Sequence, residues 1–269
     1  MILIAGESDF LVSSLSGKFG AMHLGPVVEL GDDKSLMDRL ASNKPDTDAL
    51  FYFAKRQMQS DESSQNLDFL QSLWSLSAKE RVPLTVVFYK YNLDFSFNTL
   101  AGKFNAWCGK QFRKPPAYYI CLTGEVYGAS ENGSRIWKCY GEMVEKASVT
   151  VRRYSGMDGV CRERETDFLY EKDLVRVLYW LYVHHPANGW YEIGSGFPRT
   201  DTAVAKAIFR AIGLPDVIKY DDFLHDSSSY AVQIADIDLS NLRRCGYKKP
   251  FYSLERGVKT CLYNHLKSQ

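Results

Sequence analysis

Short apolar runs and helix-compatible stretches alternate from the first residue of this chain, and that alternation leaves few folds open. Met1 to Ala5, Pro26 to Leu30, Asp48 to Ala54, Pro83 to Phe88 and Tyr118 to Leu122 have strand length and strand composition. Between them lie Leu11 to Phe19, Lys34 to Ser42, Gln65 to Glu80 and Thr99 to Phe112, all compatible with helix; within the third, Leu67, Leu70, Leu73, Trp74 and Leu76 fall on one helical face. Strands joined through helices are connected by crossovers, so they assemble into a parallel sheet with helices on both faces.

The second half changes character. Ser134 to Lys146 reads as a helix, Val149 to Tyr154 as a strand, and Asp173 to His185 as a helix with Asp173 as its cap. Trp190 to Ile193 is a strand ending in Gly194-Ser195-Gly196, Thr200 to Ile212 a helix closed by Gly213, and a terminal helix follows Ser253. The expected division is a core of residues 1–128, to which 167–213 returns, and a small C-terminal region made of 129–166 and 214–269. At 269 residues, 45% of them apolar and 14% aromatic, the chain has material for one large domain, or a large and a small one.

Charge and cysteine usage exclude several classes of function. Lys plus Arg is 33 against 32 for Asp plus Glu, and a net charge of +1 gives no field to draw the chain onto nucleic acid. The apolar stretch Leu174 to Val183 is interrupted by Arg176, so no membrane span is expected. Met1-Ile-Leu-Ile-Ala-Gly is too short for a signal-peptide core, and the expectation is a cytoplasmic protein. The six cysteines form no CxxC pair and read as reduced thiols, and the five histidines show no ligand spacing, so no metal site is expected.

Four segments, in order, carry a family resemblance. Glu165-Thr-Asp-Phe-Leu-Tyr-Glu-Lys-Asp-Leu-Val-Arg-Val-Leu-Tyr-Trp-Leu181 resembles an Arg-Asp-Phe-Val-Tyr-Val-x-Asp-Val run, and Trp190-Tyr-Glu-Ile-Gly-Ser-Gly196 a Phe-Asn-Leu-Gly-Thr-Gly strand end. Gly124-Glu-Val-Tyr-Gly128 matches a Phe-Asn-Val-Tyr-Gly turn, and Ala235 to Phe251 matches a closing segment. All four are features of the extended short-chain dehydrogenase/reductase family, in its nucleotide-sugar epimerase branch, and the chain is most similar to the ADP-glycero-manno-heptose 6-epimerases. The resemblance implies a Rossmann-like α/β fold, a mostly parallel sheet flanked by helices, with a small C-terminal substrate region.

Against that resemblance the nucleotide loop departs. The family places three glycines after the first strand, for a tight turn, for approach of the pyrophosphate and for helix packing. Here the loop reads Ala5-Gly-Glu-Ser-Asp-Phe-Leu-Val12: Gly6 remains, while Asp9 and Val12 stand at the other two positions. Asp9 sets a carboxylate at the helix start that would cradle the pyrophosphate, and Val12 adds a branched side chain. Glu29 falls where the family carries an acidic residue for the ribose hydroxyls. Gly6 and Glu29 are therefore read as vestiges, and no bound cofactor is expected; the alternative is NAD or NADP.

The catalytic motif departs too. The family uses Tyr-x-x-x-Lys, in which the lysine lowers the tyrosine pKa so that the phenolate acts as base. Thr99-Leu-Ala-Gly-Lys103 aligns with it, leaving Lys103 in place and Thr99 where the tyrosine should be. Tyr89, Tyr91, Phe95 and Phe97 crowd the neighbouring segment and would fill a vacated pocket or meet a partner. Arg162, Arg164 and Arg199 lie near segments that line the substrate pocket in the epimerases; solvated surface is the plainer reading, phosphate binding the other. The expected function is an inactive nucleotide-sugar epimerase-like protein working through contacts with an unidentified protein partner, as a homo- or hetero-oligomer or a subunit of a larger assembly. The alternative is a divergent NAD(P)-dependent epimerase or dehydratase, with Tyr89 or Tyr91 as base.

Overall fold

The computed structural model describes residues 1–6, 9–22, 26–30, 32–42, 47–54, 63–89, 95–111, 116–128, 134–155, 159–224 and 237–268. In chain order the first elements are β1 (Ile2–Gly6), α1 (Asp9–Ala21), β2 (Val27–Leu30), α2 (Asp33–Ala41), β3 (Ala49–Phe53), α3 (Ser63–Lys79), β4 (Leu84–Tyr89), α4 (Phe95–Gln111), β5 (Tyr118–Thr123) and β6 (Glu125–Tyr127). They are followed by α5 (Arg135–Lys146), β7 (Val149–Ser155), β8 (Cys161–Arg162), β9 (Glu165–Thr166), β10 (Phe168–Tyr170), α6 (Glu171–His184), β11 (Gly189–Ile193), β12 (Arg199–Thr200), α7 (Asp201–Ile212), β13 (Ile218–Leu224), α8 (Ser240–Arg244) and α9 (Leu254–Ser268).

The chain divides into two units. The first comprises Met1–Thr123, Leu174–Ile193 and Asp238–Lys249, the second Gly124–Asp173, Gly194–Ile237 and Pro250–Gln269. Relative to the expected division, residues 124–128, 167–173 and 194–213 fall in the second unit, and 238–249 in the first.

In the first unit a six-stranded sheet runs in the order β11-β5-β4-β3-β1-β2, and every pairing is parallel. β3 (Ala-Leu-Phe-Tyr-Phe) and β4 (Leu-Thr-Val-Val-Phe-Tyr) are buried at every position, as parallel strands covered on both faces must be. The stripe on α3 closes one face: Leu70, Leu73 and Trp74 are at most 2% exposed and share a core cluster with Leu3, Leu50, Val86 and Ile120. Phe19 of α1 packs against Phe51, Tyr179 and Tyr182.

The second unit pairs β13, β7 and β8 in one small sheet, β10 with β6, and β12 with β9. Its core joins Ile136 and Met143 of α5, Val149 and Val151 of β7, Val204, Ile208 and Phe209 of α7, and Leu254 and Val258 of α9. The capping predicted for α7 is observed: Thr200 Oγ1 accepts from Ala203 N at 3.1 Å, and Gly213 closes the helix at φ +74°. The capping predicted for α6 is not. That helix starts at Glu171, and the Asp173 carboxylate instead accepts from Tyr252 N at 2.6 Å. The polar run Asp226 to Ser229, of loop composition, lies outside the described residues.

Candidate functional site

The residues singled out for cofactor and catalysis all lie in the first unit. Parallel strands align their C-terminal ends along one sheet edge, where Gly6 ends β1, Tyr89 ends β4 and Thr123 ends β5. Gly6 has φ +118°, and a Cβ there would lie 2.0 Å from the Phe53 carbonyl oxygen. Close approach of β1 to β3 thus demands glycine whatever the loop binds. Glu29 is exposed on β2, in register with Ile4.

Val12, expected to obstruct the loop, is only 7% exposed and belongs to the hydrophobic core, so its branched side chain is accommodated rather than obstructive. Asp9 is the first residue of α1. Lys103 is exposed on α4, and Thr99 lies one turn earlier on the same helix. The side chains of Thr99, Phe95 and Phe97, and the whole of Tyr91, fall outside the described residues. Tyr89 is 2% exposed, opposite Thr123 in the β4–β5 register.

The second unit carries a polar constellation that no local sequence pattern announces. Glu125 of β6 is 4% exposed, and Arg135, opening α5, wraps it: Arg135 N donates to Glu125 Oε1 at 3.1 Å, and Nε and Nη2 donate to Oε2 at 2.8 and 2.5 Å. Arg135 Nη1 reaches Asp201 Oδ1 at 2.9 Å, and Nη2 also donates to Thr166 Oγ1 at 2.7 Å. Its guanidinium lies 5.1 Å from the centroid of the Phe168 ring. Every guanidinium nitrogen of Arg135 is therefore committed. Burial pushes the Asp201 carboxyl up, and the charge of Arg135 opposes that rise.

Arg164 stands beside this cluster. Burial lowers its pKa, the neighbouring charge of Arg135 lowers it further, and Glu125 and Asp201 act in the opposite sense. It makes no hydrogen bond or ion pair with any described residue. Together with Arg135, Lys138, Arg152 and Asp201 it lines a cavity of about 430 Å³ between α5, β7 and the start of α7. That volume is in the range of small-ligand sites. Of the other arginines considered, Arg162 is exposed and Arg199 is paired with Glu255. Cys139, also lining the cavity, is held as a thiol by burial, which pushes its pKa up to about 12.

The carboxylate of Asp167, next in sequence to Thr166, is fully buried and accepts from Ser195 N and Gly196 N, both at 2.7 Å. A Cβ at Gly194 would lie 2.9 Å from it. This contact ties the Asp-Phe segment to the Gly-Ser-Gly turn and explains why both motifs occur together. Among the described residues no group of three His, Cys, Asp or Glu is placed to hold a metal ion, and no helix is long and apolar enough to cross a membrane. All six cysteines are free.

The fold of this chain is shared with nucleotide-sugar epimerases and dehydratases, and the sequence is similar to that of the heptose epimerases among them. Its sequence is similar to ADP-L-glycero-D-manno-heptose-6-epimerase of Fusobacterium nucleatum, 28% identical over 174 residues that are 61% of this chain and 52% of the relative. The chain spans about half the length of the curated relatives it matches. No protein-family profile matches it. Among solved structures, UDP-N-acetylglucosamine 4-epimerase from Bacillus cereus superposes with a TM-score of 0.76 at 14% identity, covering 99% of each chain. The Helicobacter pylori ADP-L-glycero-D-manno-heptose-6-epimerase gives 0.74 at 14% identity, covering 98% of this chain and 96% of that one.

The expectation of a chain without a cofactor is corrected by this group. UDP-glucose 4-epimerase of Thermus thermophilus, with a TM-score of 0.72 at 13% identity over 99% of each chain, was solved with NAD. The GDP-mannoheptose C4 reductase of Campylobacter jejuni, with 0.70 at 13% identity over 99% of this chain and 98% of that one, was solved with NADP. The residues of this chain fit such a group. Gly6 ends β1 at a positive φ, Val12 packs into the core, and Glu29 is exposed on the neighbouring strand.

Proposed function

We propose that this chain binds a nicotinamide dinucleotide and a nucleotide sugar without interconverting the sugar. The dinucleotide is held at the β1–α1 junction, with Gly6 allowing the turn and Glu29 accepting from the adenosine ribose hydroxyls. The nucleotide sugar is held through its phosphates in the cavity of the second unit. A bound dinucleotide supplies hydride transfer. Sugar chemistry of this kind also needs a group to take a proton from a hydroxyl, and Thr99 precedes Lys103 where that group would stand. A threonine hydroxyl does not ionise near neutral pH, and Tyr89 is buried.

The observation that carries this reading is Arg164, a half-buried guanidinium with no partner among the described residues, facing a cavity of substrate size. A buried or half-buried cation without a counter-charge is costly to keep unless a ligand supplies the charge. A chain that holds ligands without turnover acts by presenting its bound state to a protein partner. The reading is tested by calorimetric titration of NAD, NADP and ADP-glucose, with NMR of each nucleotide sugar over hours in the presence of dinucleotide. Binding without a change in sugar configuration is expected. Turnover, or no binding of either ligand class, would overturn it.

A further inference from the structure

Glu125 and Asp201 both act electrostatically on Arg164, yet neither pairs with it. The reason is Arg135, whose Nε, Nη1 and Nη2 are spent on those two carboxylates and on Thr166. At position 166 the related epimerase run carries an arginine, and at 125 an asparagine; here the two positions are threonine and glutamate. A carboxylate introduced at 125 beside a cavity that must take an anion would repel the ligand, or would capture the cation meant for it. A second arginine, entering from α5, neutralises that carboxylate.

Resting on the nucleotide-sugar reading above, we infer that Arg135 is a positioning residue: by occupying Glu125 and Asp201 it keeps Arg164 unpaired and available to an anionic ligand in the cavity. Arg135 itself does not touch the ligand. Its effect on binding passes through Arg164, and this sets it apart from a residue that merely adds positive charge or holds the fold.

A double-mutant cycle separates these roles, because a residue that acts through another has no effect once that other is gone. ADP-glucose binding is measured by calorimetry on wild type, Arg164→Gln, Arg135→Gln and the double variant, with melting curves to establish folding. Arg164→Gln is expected to weaken binding at least tenfold, as for loss of a charge-assisted contact. Arg135→Gln should weaken it by a similar factor, since Glu125 and Asp201 then capture Arg164. The double variant should bind no more than about twofold more weakly than Arg164→Gln alone. Should Arg135→Gln fail to fold, Arg135→Lys takes its place in the same cycle; its ammonium reaches one carboxylate but not both, so binding should fall by several fold and again be silent in the Arg164→Gln background. Effects of Arg135 and Arg164 that multiply, or an Arg135 variant that binds like wild type, overturn the inference while leaving the cavity assignment standing. Unchanged binding in Arg164→Gln would instead overturn the cavity assignment itself.

Discussion

Gly6 and Asp9 sit three residues apart and carry opposite consequences. At Gly6 a Cβ would lie 2.0 Å from the Phe53 carbonyl oxygen at a φ of +118°, so Gly6→Ala combines a backbone clash with a left-handed strain. A loss of about 3 kcal/mol is expected, read from urea denaturation; a variant within about 0.5 kcal/mol of wild type would show that β1 and β3 can separate at no cost. Asp9 opens α1 with a carboxylate, which stabilises a helix start but opposes a bound pyrophosphate. Asp9→Asn should therefore raise NAD affinity about fivefold while lowering stability by a few tenths of a kcal/mol. Equal affinity would remove Asp9 from the binding argument. Gly6 was legible from sequence, though the reason for it lies in strand approach. That Val12 is buried on the inner side of α1 was not legible, because that address depends on packing that no spacing shows. Arg135 was missed altogether: its partners at 125, 166 and 201 come from three separate elements, and only the replacement of arginine by Thr166 hinted that a guanidinium was needed from elsewhere.

Among the elements, those with their own stop and start signals were read correctly. α7 has Thr200 before it and Gly213 after it, and both serve as caps. Thr200→Ala should cost about 1 kcal/mol, the usual price of an N-cap oxygen, with the loss visible as a lowered urea midpoint at unchanged slope. A changed slope would mean that the mutation alters more than the first turn of the helix. α6 shows where such signals mislead, because Asp173 resembles a cap in sequence but spends its carboxylate on the Tyr252 amide, 79 residues away. The central strands were legible as continuous apolar runs. β8, β9 and β12 were not, since two-residue pairings such as Arg199 with Thr166 are made by tertiary placement and leave no period in the sequence.

At the scale of the whole molecule, the chain leaves and re-enters each unit: residues 174–193 and 238–249 return to the first, and 194–237 and 250–269 to the second. The large unit was foreseeable, because its β1 to β5 segments are consecutive with helices between them. The exchange near Asp173 and Ile193 was not, because the sequence there reads as one continuous helix-then-strand pattern. On the proposed reading the two ligand classes fall on different units: Gly6 and Glu29 belong to the first, Arg164 and Arg135 to the second. Each ligand that binds only the folded chain stabilises it by mass action, by about 2.7 kcal/mol at a hundredfold excess over Kd, and so raises its melting temperature. The two responses should therefore be separable by mutation. Arg164→Gln should reduce the thermal shift given by ADP-glucose and leave that of NAD intact. Glu29→Gln should reduce the NAD shift and leave that of ADP-glucose unchanged, because it removes an acceptor for the ribose hydroxyls on the first unit alone. In wild type NAD should shift melting more than NADP, whose extra phosphate would meet the Glu29 carboxylate. Loss of both shifts in either single variant would mean that the two ligands share one site, and the division of binding between the units would have to be abandoned.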